Sequence, residues 1–241
     1  MKHKLKITLL ILAMFLVTQF IGLYVVNNYL PEKVVDGEKV DVSAPSLPYG
    51  METPEPEGQG EYNQVFVSIV MAFLIAIGLL FILMRFKAEI VMKVWFSFVV
   101  LIALGIFFHS ILPETSYSAW FALAIAAPLM FFKVFKRNIY IHNLTELMIY
   151  PGIAAIFVPI LNIWTIIALL VVISGYDMWA VWHSGVMQKM AKFQMDKVKV
   201  FSGFFIPYLS QKMKNKIKKM SKSDLKKLKK KGVKARVAIL G

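Results

Sequence analysis

The sequence predicts an all-α polytopic membrane protein with six transmembrane helices and an amphipathic, Lys-rich cytoplasmic segment. Hydrophobic residues make up 58% of the 241 residues and the mean hydropathy is +0.64, more apolar than a soluble domain requires. Long apolar runs alternate with short charged segments, as in chains that cross a bilayer several times. The charge is also unevenly distributed, because residues 185–241 hold 17 basic and two acidic residues while the preceding part is nearly neutral.

Six apolar runs predict the spans of a membrane domain over residues 1–184. They lie at Ile7–Val26, Val65–Met84, Val94–Leu112, Ala119–Phe132, 144–161 and Ile163–Trp182. The first run follows three lysines, but it is longer than the core of a secretory signal and no small-residue cleavage site follows it, so we interpret it as a span. Pro151 and Pro159 predict a kinked or broken fifth helix, since proline removes a backbone donor.

The loops between the runs predict an orientation. Residues 31–62 contain eight acidic residues and five prolines, a composition typical of a solvated and mostly disordered external loop. Basic residues instead occupy the amino terminus, the second and fourth loops and the tail. The positive-inside rule therefore places the amino terminus and the tail in the cytoplasm.

The basic tail predicts a cytoplasmic loop over residues 185–236. Apolar residues recur at helical spacing from Val198 to Met220, with a break expected at Pro207, which indicates an amphipathic helical segment on the membrane surface. Thirteen of the 25 residues from Lys212 to Arg236 are basic. Nucleic acid is one partner for such a run, but anionic lipid headgroups are favoured for a segment next to a membrane.

An aspartate lies inside the sixth apolar run. Asp177 is about 9 Å before His183, the expected end of the span, at about 1.5 Å per residue. Small residues such as Ser174 and Ala180 share its helical face, so that face is expected to point toward protein, while Trp179 and Trp182 point to the other side. A structural acid paired with a lysine or a backbone group is the simpler interpretation. A functional acid is favoured, because a carboxylate is costly to bury in a membrane.

The residues around Asp177 resemble a known family. Tyr176-Asp177 near the end of a sixth helix, followed by Ala180-Val181, is similar to the presenilin and signal peptide peptidase family of intramembrane aspartyl proteases. The resemblance implies that Asp177 is one of two catalytic aspartates and that Tyr176 supports it. It also implies that residues 237–241 begin a seventh helix, with Gly241 as the first residue of the Gly-x-Gly-Asp motif that holds the second aspartate.

The resemblance implies an intramembrane aspartyl endopeptidase that cleaves transmembrane helices of membrane proteins or signal peptides. The second aspartate lies beyond this chain, so the chain is expected to be part of a longer enzyme, a half that assembles with separate carboxy-terminal helices, or an inactive relative. The alternative is a non-enzymatic membrane protein, a transporter or channel fragment, a scaffold or a pseudoenzyme, in which Asp177 binds an ion or a proton.

Neither a metal nor a cofactor is expected. The chain has no cysteine, which excludes thiolate ligands, and no His-x-x-x-His or Glu-x-x-His pair places two ligands on one helical face. His109, Glu114, His142 and Glu146 are interpreted as anchors at the membrane interface.

Overall fold

The protein is predominantly helical. The computed structural model describes residues 5–30, 32–35, 38–41, 46–52, 56, 58–136, 138–180, 182, 193–198, 200, 202–208 and 236–240. Within them, the α-helices are α1 (Leu5–Tyr29), α2 (Gln59–Arg85), α3 (Glu89–Ile111), α4 (Ser118–Phe131), α5 (Ile139–Phe157) and α6 (Ile163–Trp179). Four short strands are β1 (Glu32–Val35), β2 (Glu38–Asp41), β3 (Phe204–Tyr208) and β4 (Arg236–Leu240), and π-helical turns occupy Phe132–Lys136 and Gln194–Val198.

Helices α1, α3, α4 and α5 pack together as a bundle. The apolar cluster at one end of the bundle combines residues from three helices and a loop: Val25, Tyr29, Leu47, Ile106, Phe107 and Ala155. Because the carboxyl-terminal parts of α1, α3 and α5 meet in this cluster, these three helices run parallel to one another. Helix α4, which joins α3 to α5, runs in the opposite direction.

The acidic loop and the basic segment contact opposite ends of this bundle. Leu47 belongs to the cluster at the end of α1, and the Tyr49 hydroxyl donates to the carbonyl of Ala119 over 3.3 Å. At the other end, Met92 packs with Val198 and Val200 of the segment after α6. This separation of the two loops agrees with the predicted distribution of charge.

Part of the acidic loop, for which the sequence predicts mostly disorder, has regular structure. Strands β1 and β2 pair antiparallel, with Val35 opposite Glu38. The apolar contacts of Leu47 then hold the following part of the loop against the bundle.

The helices are those of a multi-pass membrane protein. Within the described residues, four helical segments are long and apolar enough to cross a bilayer: α1, α2, α3 and Ser118–Lys136. Helix α6 is apolar but shorter, with 17 residues. Helix α5 begins before the predicted run, continues without a break through Pro151 and ends at Phe157, two residues before Pro159.

The residues directly before the lysine-rich run and those at its end form two extended strands, β3 and β4. Strand β3 pairs antiparallel with β4, with Phe204 opposite Leu240 and Tyr208 opposite Arg236. The β-branched residues of β4 favour extended backbone, and Pro207 fits a strand of a two-stranded sheet but not a helix interior. The structure thus has extended backbone at 204–208, where a break was expected at Pro207, and at 236–240, where the start of a seventh helix was expected. Residues 209–235 lie outside the described part of the chain.

Candidate active site

Helix α6 holds the acid that the sequence singles out. A capping box fixes its start, since the Asn162 side chain accepts from the Thr165 backbone N–H over 2.8 Å and the Thr165 hydroxyl accepts from the Asn162 N–H over 3.0 Å. Such reciprocal bonds satisfy donors that a helix start leaves unpaired. Asp177 lies in the last turn of α6, and the N–H of the following Ala180 donates to the carbonyls of Asp177 and Tyr176.

One stripe of α6 is less exposed than the rest of the helix. Its members follow the spacing of one helical face and are Thr165, Ile166, Leu169, Ile173, Tyr176, Asp177 and Ala180. Asp177 is half-buried at the edge of this stripe. Trp179 and Trp182 are 55% and 73% exposed, as expected for aromatic residues that face lipid headgroups.

Helix α2 covers this stripe and runs parallel to α6. At the helix starts, the Asn162 side chain donates to Gln59 Oε1 over 3.3 Å. Fourteen residues further along each helix, the Phe73 and Tyr176 rings meet edge to face with centroids 5.4 Å apart. The equal offset shows that the two helices run side by side in register, so the contact with α2 reaches the residue directly before Asp177.

The other flank of Asp177 is open. Leu170 and Ser174, which share the helical face of Asp177, are exposed, with Leu170 at 60%. None of the ion pairs that the structure describes involves Asp177. The small side chain of Ser174 and the neighbouring Gly175 would allow another helix to approach closely on this flank.

A buried charge cluster, formed by Lys133, His142 and Glu146, was not anticipated as a unit. Lys133 and Glu146 form an ion pair between side chains that are 1% and 0% exposed. The interpretation of Glu146 as an interfacial anchor is therefore wrong. The i, i+4 spacing of His142 and Glu146 on α5 was a signal for a shared site, but Lys133 lies on the turn after α4 and its approach follows from the tertiary fold.

Two further points of the sequence analysis concern a metal site and Gly241. Among the described residues, no group of three His, Cys, Asp or Glu side chains could hold a metal ion. Gly241 lies outside the described residues.

The family model described as "Signal-peptide peptidase, presenilin aspartyl protease" matches residues 40–211. The match begins before α2, includes all of α6 with Asp177, and extends beyond β3. The chain belongs to this family. It is an integral, multi-pass membrane protein, and its family is that of intramembrane aspartyl proteases, which act on transmembrane polypeptides. No curated protein and no solved structure matches the chain.

Proposed function

We propose that Asp177 is one half of the catalytic dyad of an intramembrane aspartyl endopeptidase. The observation that supports this most directly is the position of Asp177 within the family match, as a half-buried acid in the last turn of an apolar helix. An ionised carboxyl group inside an apolar membrane helix is energetically costly, and residues of this kind usually have a function. The open flank of Asp177 leaves room for the second aspartate, which comes from residues outside this chain.

Two carboxylates held close together in a membrane share one proton, because both cannot ionise cheaply there. The ionised member accepts a proton from the attacking water, and the protonated member donates to the scissile carbonyl oxygen. The tetrahedral diol then collapses as the amide nitrogen receives a proton. Asp177 fills one of these two roles, and Tyr176 positions it through the contact with Phe73.

The substrate is a transmembrane helix or a signal peptide. Its peptide bonds are protected by internal hydrogen bonds, so a short stretch must unwind before water attacks. We propose that the unwound stretch adds to the β3–β4 sheet as a further strand, a mode in which backbone hydrogen bonds supply the affinity. Both strands of a two-stranded sheet have an outer edge that can accept such a strand.

The membrane orientation follows from the charges. Lys93 and Lys136 lie at the end of the bundle that packs with Val198, where they contact the rings of Phe135 and Phe132 at 4.6 Å and 4.9 Å. We propose that this end is cytoplasmic, with the amino terminus and the basic tail on the same side. The Lys-rich run over 212–236 then lies next to the inner leaflet, where it binds anionic lipid headgroups. The carboxy-terminal helices that supply the second aspartate are either covalently continuous or a separate chain.

The test is cleavage of a reporter transmembrane peptide by the full-length protein in liposomes, with products located by mass spectrometry. We expect cleavage at peptide bonds inside the apolar span of the reporter and its loss in Asp177→Ala. The matched control is Glu114→Gln, which alters an exposed carboxyl group outside the site and is expected to leave the products unchanged. Products from Asp177→Ala at the wild-type rate would favour a non-enzymatic role for Asp177, such as an ion or proton site.

A further inference from the structure

The buried charge cluster joins two helices to the strand segment. Lys133 follows α4, His142 and Glu146 lie on the first half of α5, and His142 Nε2 is 2.8 Å from the carbonyl oxygen of Gly203. Gly203 is the residue directly before β3. The cluster therefore connects the bundle to the start of the β3–β4 sheet, to which we propose that the unwound substrate adds as a strand.

The hydrogen positions in the cluster follow from its chemistry. Lysine has only donors, and the Lys133 ammonium lies 3.4 Å from His142 Nδ1 and also donates to Glu146 Oε1. His142 Nδ1 must therefore accept, so it is unprotonated. The ring proton of the neutral imidazole then resides on Nε2, from which it donates to the Gly203 carbonyl. Lys133 thus selects the tautomer of His142 that holds the strand segment.

The point that His142 holds is a sharp change of backbone direction. Gly203 has φ +119°, a conformation that favours glycine. Phe204 follows as a buried side chain, 2% exposed, and its ring lies 6.1 Å from that of Tyr150 on α5. The hydrogen bond to Gly203 and the packing of Phe204 together fix where β3 begins relative to α5.

A buried ion pair is a poor means of gaining stability, because desolvation of the two charges offsets their attraction. Conformational specificity is the other role that a buried ion pair can have. The specificity in this case is the placement of one carbonyl group and of the strand that follows it.

We propose that His142 is a positioning residue that fixes the register of β3 and, through it, the peptide bond of the substrate that is presented to Asp177. The inference rests on the proposed function, in which the unwound substrate pairs with the β3–β4 sheet. A displaced β3 would present a neighbouring peptide bond to the dyad. His142 therefore affects where the substrate is cut more than whether it is cut.

The first experiment compares His142→Ala with His142→Gln in the reporter assay. Glutamine keeps an N–H donor at a position similar to Nε2, whereas alanine removes it. In His142→Ala we expect the ratio of the two leading cleavage products to change about fivefold, the factor that corresponds to one hydrogen bond. His142→Gln is expected to restore the wild-type ratio. A lower total rate with an unchanged product ratio in His142→Ala would overturn the proposal and indicate a purely structural role.

The second experiment does not depend on proteolysis. Ile206 and Ala238 are opposite each other in the β3–β4 pair, and the chain has no cysteine of its own, so Ile206→Cys with Ala238→Cys introduces the only two thiols of this chain. We expect disulfide formation under mild oxidation to slow about fivefold when His142→Ala is added, and to recover with His142→Gln. Equal rates in all three backgrounds would overturn the proposal whether or not the protein is a protease.

A matched control is His109→Ala. His109 is also a helical histidine with a 2.9 Å hydrogen bond, to the Tyr29 hydroxyl, but it lies at the opposite end of the bundle. We expect it to leave the disulfide rate and the product ratio unchanged. Loss of the disulfide in both histidine variants would contradict the specific connection between His142 and β3. If Asp177→Ala keeps its activity while the disulfide result holds, the proposed function fails and the positioning of β3 by His142 stands.

Discussion

The rings of Phe73 and Tyr176 meet edge to face at 5.4 Å, directly before the aspartate of α6. This contact lies at the same distance along both helices from the hydrogen bond between Gln59 and Asn162. The parallel pair of α2 and α6 therefore sets the height and the direction of the last turn of α6. Asp177 takes its position from that turn.

The contributions of the Phe73 and Tyr176 rings to the free energy of unfolding are predicted to be coupled. Phe73→Ala and Tyr176→Ala should each lower the free energy of unfolding, and a double-mutant cycle should give a coupling of about 0.5–1.5 kcal/mol, the value of an aromatic pair. Unfolding in mixed micelles measures it. Tyr176→Phe keeps the ring and should retain reporter cleavage, because Tyr176 acts through packing. Additive single-variant effects would contradict the contact.

The start of α6 is predicted to depend on its cap. Asn162→Ala should lower the free energy of unfolding by about 1 kcal/mol, since it leaves the Thr165 N–H without the side-chain acceptor. Asn162→Asp keeps an acceptor oxygen and serves as the control. Thermal unfolding of both variants is the measurement, and equal stability of Asn162→Ala and wild type would show that the cap is not needed.

The ion pair of Lys133 and Glu146 is predicted to behave asymmetrically. Lys133→Met leaves Glu146 buried without its cation and should cost about 3–5 kcal/mol of unfolding free energy. The double variant Lys133→Met with Glu146→Leu removes both charges and should recover most of that loss. If the double variant is as unstable as Lys133→Met alone, packing rather than charge explains the effect.

The contact between α3 and α5 is predicted to tolerate no side chain at Gly152. A Cβ atom at this position would overlap the Ala103 carbonyl oxygen, so Gly152→Ala should cost about 1–3 kcal/mol of unfolding free energy as the helices move apart. Gly78→Ala is the control, because nothing lies within 4 Å of a Cβ atom there. Equal stability of the two variants would contradict this close approach.

Apolar patterning predicted the features that depend on one helix alone. The run from Ile163 predicted α6 and the position of Asp177 near its end, but of the two small residues on the face of Asp177 Ala180 is buried and Ser174 is exposed. The same reasoning missed β3, because Phe204, Phe205 and Leu209 also fit a helical period and the pairing with β4 joins residues far apart in the chain.

Contacts between helices were harder to predict. Lys133 is one of the basic residues of the fourth predicted loop, and the positive-inside rule places such residues in water on the cytoplasmic side. Its burial results from α5 folding back against the end of α4, where Glu146 supplies the opposite charge. The parallel register of α2 and α6 likewise depends on which helices pack against each other. The periodicity of apolar residues in one sequence does not predict that choice.

The most direct test of the account is the rate at which the reconstituted full-length protein cleaves a reporter transmembrane peptide, compared with that of Asp177→Ala at equal amounts of folded protein. The account predicts a fall of at least about 10²-fold, the lower range for removal of a general acid or base. A rate in Asp177→Ala within a factor of two of the wild-type rate would contradict it.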